Sequence, residues 1–274
     1  MKLVYINLDA QAERKKALEE SFARCCQVPG WHLQRFSAVD SAYVAANRVP
    51  GTISSGAKGC FLSHEHILQA NLGNEEDIFM LEDDALFSPK TFLYLPQILE
   101  SLRERDWDIL FTDTLILEIP AMISLINMRR RLIPENEVTM FDLAGLVFAG
   151  STAYVVNGRS KRKVSALLDA VTVYDAPYDL VLRKLIHEAK LKAYACFPFL
   201  TSVSEHANAS QIQPEDGQLS LVLWNTFRRL IWIDRSLDEN RALLQKIEAR
   251  MVDDETRLFG SILMAMASPG YKPN

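Results

Sequence analysis

Three consecutive carboxylates, Glu82-Asp83-Asp84, follow directly on the apolar run Phe79-Met80-Leu81. Like charges at this spacing raise one another's pKa, so the cluster is costly unless a cation sits there. Oxygen-only ligands suit a hard divalent ion, Mg²⁺ or Mn²⁺, which binds through one or two carboxylates and completes its shell with phosphate oxygens. In a turn after a strand, side chains two apart can point the same way, which makes Glu82 and Asp84 the natural pair. At this point a solvated acidic turn accounts for the same residues equally well.

The second cluster is Gly56-Ala57-Lys58-Gly59-Cys60-Phe61-Leu62-Ser63-His64. Two glycines permit close backbone approach, and a helix opening at Cys60 would present its N-terminus to an anion. His64 falls on the first turn of that helix, where a histidine taken alone is more often structural than catalytic.

Elements that would position these residues follow from the hydropathy pattern. Short apolar, β-branched runs predict strands at Leu3–Leu8, Trp31–Val39, Asp77–Leu81, Trp107–Phe111, Thr152–Val156 and Leu191–Phe197. Helical spacing predicts helices over Ala10–Arg24, Cys60–Leu72, Thr91–Arg105, Ser160–Ala170 and Tyr178–Ala189, with a loop over Val49–Gly59 where Pro50, Gly51, Gly56 and Gly59 gather. Strands alternating with helices predict an α/β fold, a mostly parallel sheet covered on both faces. Ligands of such sheets bind outside the carboxyl ends of the strands, where the acidic triplet lies.

The composition narrows the class. The chain has 274 residues, 49% hydrophobic and 24% charged, with a net charge of −5. Those values fit a globular chain, and an acidic one is a poor candidate for a nucleic-acid backbone. The four cysteines, Cys25, Cys26, Cys60 and Cys196, form no CxxC pair, which argues against a zinc ribbon or redox motif and for a reducing compartment. Met1–Ile6 is too short an apolar stretch for a signal peptide, and Ile109–Ile126 carries Asp113, Glu118 and Pro120, so no membrane span is expected. The expectation is a cytoplasmic protein.

Four segments in order resemble glycosyltransferase family 25, which includes bacterial lipooligosaccharide-assembly transferases and is related to the collagen galactosyltransferases. They are Val4-Tyr5-Ile6-Asn7-Leu8-Asp9 with Arg14 after it, Phe36-Ser37-Ala38-Val39-Asp40, Gly59-Cys60-Phe61-Leu62-Ser63-His64, and Leu81-Glu82-Asp83-Asp84. Trp107-Asp108-Ile109-Leu110, Gly150–Val156 and Pro177-Tyr178-Asp179 are weaker echoes. The resemblance extends over about the first 210 residues, and its specificity lies in the combination.

The resemblance implies a GT-A type, Rossmann-like nucleotide-sugar-binding sheet over residues 1–215; residues 216–274, helical by their own pattern, read as a C-terminal extension packed on it or mediating association. It implies a metal-dependent, inverting transfer of a hexose, galactose or glucose, from a UDP-sugar to lipooligosaccharide or another surface or lipid-linked glycan. Asn7, Leu8, Arg14, Asp40, Ser63, His64 and Asp83 become the donor-binding candidates. Glu82, Asp84 and His206 become the metal candidates, and Mn²⁺ or Mg²⁺ the cofactor. For the general base, Asp179 comes first and Asp175 second, while for Asp179 a helix-dipole role competes equally. Tyr154, Tyr174 and Tyr178 are candidate platforms for acceptor stacking.

Two segments fall outside the resemblance: the insert between Leu110 and Ala144, with its run Arg129-Arg130-Arg131, and the tail after Gln218, with helices over Leu221–Arg235 and Leu237–Met266. The tail's Trp224–Trp232 stretch is apolar, aromatic and basic. That mix suits packing on the protein's own core or on a second subunit as a homodimer, or a peripheral contact with a membrane, where a lipid-linked acceptor would be found. Two other functional classes compete with the transferase. One is a metal-dependent nucleotidyltransferase or hydrolase, for which the sequence offers no Walker-type loop. The other is a non-catalytic scaffold of the same fold, against which the costly acidic triplet argues.

Overall fold

The computed structural model describes residues 1–204, 207, 218–268 and 270–271. Its centre is a seven-stranded sheet made of β1 (Lys2–Asn7), β2 (His32–Ser37), β3 (Ile78–Glu82), β5 (Ile109–Phe111), β7 (Thr139–Asp142), β9 (Ala153–Val156) and β10 (Ala193–Phe197). The strand order is β2-β1-β3-β9-β5-β10-β7. β2, β1 and β3 are parallel, β5 and β10 are parallel, and β9 lies antiparallel between β3 and β5. β7 closes the far edge, antiparallel to β10. Five strands therefore share one direction. The reversal of β9 was not legible in its run Ala153-Tyr154-Val155-Val156, because a strand buried on both faces reads the same in either direction. Two short pairings, β4 (Ala85–Leu86) with β11 (Ser202–Val203) and β6 (Leu115–Ile116) with β8 (Phe148–Ala149), flank the sheet.

Alternation of side chains along each strand builds two cores. Leu3, Tyr5, Phe79, Leu81, Leu110, Ala153 and Val155 pack on one face with residues of α1 (Ala12–Cys25) and α4 (Pro89–Ser101), among them Leu18, Phe92 and Leu95. Val4, Ile6, Ile78, Met80, Ile109, Phe111, Tyr154 and Val156 pack on the other with α3 (Ser55–Ala70), α6 (Lys161–Asp169) and α7 (Tyr178–His187).

Helix α3 begins five residues before the expected start at Cys60. Ser54 caps it by accepting from the Ala57 amide at 3.2 Å, and Gly56 and Gly59 lie inside it. Helix propensity disfavours interior glycine, but tertiary contact overrides it here: a Cβ on Gly59 would meet the Val39 carbonyl oxygen at 2.2 Å. Gly59 thus lets α3 dock against the segment after β2. The two glycines do not precede a helix N-terminus, and the expected anion site at Cys60 is absent. A helix not anticipated, α2 (Ser41–Ala46), is capped by Asp40, which accepts from the Tyr43 amide at 2.7 Å.

The insert forms β6, α5 (Ile119–Leu132) and β7. The tail forms α8 (Gln218–Leu230), α9 (Leu237–Ile247) and α10 (Asp254–Ala267). The single helix expected over Leu237–Met266 is split because Asp253 starts a new one, accepting from the Thr256 amide at 2.7 Å. Val222, Leu223, Phe227, Leu230 and Ile231 are buried in the same core as the sheet residues, and Trp224 packs on Phe259 with ring centroids 4.6 Å apart. The apolar residues of this stretch face protein. Insert and tail meet at Arg129, which is buried and donates to the Trp232 and Ile233 carbonyls. Among the described residues, no helix is long and apolar enough to cross a membrane.

Candidate active site

Three strand ends converge because of register. Ile6 pairs with Glu82 across β1 and β3, and Asn7 pairs with Ser37 across β1 and β2. The residues that follow, Leu8–Arg14, Ala38–Asp40 and Asp83–Asp84, are thereby brought to one edge of the sheet.

Asn7 organises this edge from inside. It is 1% exposed, and its amide donates to Asp83 Oδ2 at 2.8 Å and to the Gln11 carbonyl at 3.0 Å. Its Oδ1 accepts from Arg35 Nε at 2.9 Å. Arg14 donates to the other oxygen of Asp83 at 3.1 Å. Asp83 is thus held toward β1 by an amide and a guanidinium. Leu8, half-buried, begins the turn into α1, where its carbonyl accepts from the Gln11 amide. Asp40 is exposed at the start of α2.

The outer two members of the triplet turn elsewhere. Glu82 Oε1 accepts from the Ser151 hydroxyl at 2.9 Å and lies 3.5 Å from His64 Nε2. Burial acts to raise Glu82, but the facing imidazole, the Ser151 hydroxyl and Arg228 outweigh it and hold this carboxyl below the ordinary value. For Asp84 the charges of Arg228 and Arg14 act the same way but do not prevail. Its Oδ1 is buried without a hydrogen-bond partner, and burial followed by the charge of Glu82 pushes it up to about 7. A buried carboxylate oxygen without a donor is what a cation would satisfy.

The Gly59–His64 segment divides its labour. Ser63 Oγ accepts from the Val39 amide at 2.8 Å and donates to the Gly59 carbonyl at 2.7 Å. Gly59 and Ser63 therefore fix the segment leading to Asp40, and Ser63 is fully buried. His64 is likewise 0% exposed. Its Nδ1 is 2.9 Å from the Tyr154 hydroxyl, which is 2.7 Å from the Tyr178 hydroxyl, and its ring stacks on Tyr178 at 4.2 Å. Tyr154, Tyr174 and Tyr178 are all buried, which corrects their reading as stacking platforms for an acceptor: they build the wall behind the site. Burial, with the carboxylates of Glu82 and Asp179 next in weight, also pushes the Cys60 thiol well up, so it is no activated nucleophile.

The two candidate bases part company. Asp179, on the first turn of α7, accepts from the Gly150 amide at 2.7 Å, and the next residue of that segment, Ser151, bonds Glu82. Gly150 holds φ at +87°, a conformation that favours glycine. Asp179 is thereby tied to the acidic edge. Asp175 instead accepts from the Thr52 amide and hydroxyl at 2.9 and 3.0 Å, bracing the loop at Gly51. His206 lies outside the described residues.

Sequence reasoning missed Arg228. It reaches from α8 to Asp113, just beyond β5, at 2.7 Å, with side-chain exposures of 3% and 0%. Its charge acts on Glu82 and Asp84 as well. Arginine in the apolar stretch Trp224–Trp232 was the one available signal.

A search among curated proteins finds a "Glycosyltransferase 25 family member" of Aedes aegypti, 27% identical over 124 residues. The match covers 39% of this chain and 20% of that relative, so this chain spans about a fifth of the relative's length. Among solved structures, mouse xyloside xylosyltransferase 1 in its apo form aligns with a TM-score of 0.33 and 13% identity, over 70% of this chain and 63% of that one. The family described as glycosyltransferase family 25 (LPS biosynthesis protein) matches residues 1–182, which take in all four motif segments together with Gly150 and Asp179. By that match, over more than half of its length, the chain belongs to glycosyltransferase family 25.

Proposed function

We propose that this protein is a GT-A type glycosyltransferase that moves a hexose, galactose or glucose, from a UDP-sugar to a surface or lipid-linked oligosaccharide. Family membership supports the reaction class, and the family's description as an LPS biosynthesis protein supports a surface-glycan acceptor. The observation that carries the proposal is Asp84, a carboxylate with a buried, unpartnered oxygen beside Glu82 at the point where three strand ends converge.

Glu82 and Asp84 would hold a divalent ion, Mn²⁺ or Mg²⁺, which offsets charge on the departing nucleoside diphosphate. The chain's own residues do the rest. Asp83, pinned by Asn7 and Arg14, keeps its charge at the donor end of the site, and Arg14 offers donors to phosphate. Exposed Asp40 accepts from a ribose hydroxyl. Asp179 takes the proton from the acceptor hydroxyl as it attacks the anomeric carbon, giving inversion. Gly150 N–H keeps that carboxylate aimed from the start of α7.

The test is UDP release across a panel of UDP-hexoses, with Mn²⁺ present and then chelated. Metal-dependent release from one sugar, abolished by Asp84→Ala, establishes both class and donor. Release of pyrophosphate instead would assign a nucleotidyltransferase. Absence of both release and calorimetric UDP binding would overturn the uridine donor.

A further inference from the structure

Cys60 and His64 lie one turn apart on α3 and face Glu82 at the end of β3. One ligating atom from each of the three lies within 4.8 Å of the other two. His64 is wholly buried, yet its Nε2 makes no hydrogen bond, since Glu82 Oε1 at 3.5 Å is too far to accept one well. The ring cannot turn to find another partner, because Tyr154 holds Nδ1 and Tyr178 stacks parallel to its plane at an angle of 3°. Orphaned nitrogens of this kind are rare in interiors and costly.

We propose that Cys60, His64 and Glu82 form a binding site for a borderline-soft divalent cation, with Zn²⁺ the best match. A thiolate, an imidazole and a carboxylate are zinc's ligand types, whereas Mg²⁺ and Mn²⁺ prefer oxygen. Three protein ligands leave a fourth tetrahedral position open, and half-buried Glu82 and Cys60 admit an ion from the site face. Zinc bonds of about 2.0–2.3 Å require the ligand atoms to draw in by about 1 Å, within reach of a cysteine side-chain adjustment. The Tyr154 hydroxyl can accept from Nδ1–H, which leaves the lone pair on Nε2, as zinc ligation needs. On binding, the Cys60 thiol proton passes to solvent, and the thiolate and carboxylate balance the two charges of the ion. Glu82 belongs to both this site and the oxygen-only site. If the transferase reading holds, zinc here therefore displaces Glu82 from its role with the donor and inhibits turnover supported by Mn²⁺.

Cobalt titration of the metal-free protein tests the site without any nucleotide sugar. Wild type should bind a single equivalent of Co²⁺ with a near-ultraviolet thiolate-to-cobalt band, bleached by stoichiometric Zn²⁺. Cys60→Ser, a near-isosteric change expected to fold, should lose the band and bind Zn²⁺ at least ~100-fold more weakly. Cys26→Ser should keep both. No band in wild type, or a band that survives Cys60→Ser in folded protein, overturns the proposal. Failure of the UDP-sugar reading would leave the cobalt spectrum untouched, so the two proposals fail separately.

Discussion

The amide of Asn7 donates to Asp83 across 2.8 Å, joining the ends of β1 and β3 over a sequence separation of 76 residues. Parallel register makes the contact possible, since Ile6 lies beside Glu82. Asn7 also ties down Arg35 and the turn into α1. Removing it leaves several polar groups without partners at once. Asn7→Ala should cost about 2–3 kcal/mol, since each buried group left unsatisfied costs about 1–3 kcal/mol. Urea unfolding gives the number, and a loss below 0.5 kcal/mol would show that Asn7 is not the hub of this edge.

The acidic edge makes the metal-free protein pH-sensitive. Asp84 titrates near 7 in the folded chain against an ordinary value of 3.8, so between these values the folded state binds more protons than the unfolded state. Stability contributed by this group is present below about pH 4 and is lost as pH rises through 7. Denaturant melts in a chelator from pH 5 to 8 should show this decline, and Asp84→Asn should flatten it. Added Mn²⁺ should restore stability at pH 8 in wild type only.

Asp179 and Asp175 separate kinetically. Asp179→Asn should lower turnover by about 10²–10⁴-fold while UDP-sugar binding persists, as for loss of a general base. Asp175→Asn should leave chemistry within a few-fold, since its carboxylate braces Thr52. The reverse pattern in single-turnover assays would exchange the assignments.

The tail is coupled to the site through one buried ion pair. Arg228→Ala strands Asp113 in the interior and should destabilise the protein by about 3–5 kcal/mol. A chain ending before residue 216 loses the same contact, together with Phe227, Leu230 and Ile231 from the core, and should fail to fold cooperatively. A cooperative melt from such a truncation would make residues 216–274 a dispensable extension.

Gly59 tests the docking of α3. Gly59→Ala places a methyl 2.2 Å from the Val39 carbonyl, and overpacking of this kind costs about 1–3 kcal/mol. The shift of the Val39–Asp40 segment should also weaken UDP binding, which isothermal calorimetry would detect.

The sequence by itself determined six of the seven sheet strands, the acidic triplet at the end of β3 and the family, while β7, inside the insert, went unread. Period and composition encode buried strands locally, and four motifs in order are specific even where each is weak. Only the tertiary structure decided what the motif residues do. Asn7 and Ser63 read as ligand-facing polar residues, yet both are buried connectors, because a polar side chain's partner is set by which strand or helix folds against it. The extension of α3 back to Ser55 depends on Gly59 meeting Val39, a contact between elements that a one-dimensional pattern of helix breakers conceals. Arg228 beneath the acidic edge, and the Cys60–His64–Glu82 cluster, likewise join positions far apart in the chain. Their chemistry depends on distance and burial, which residue type and spacing do not specify.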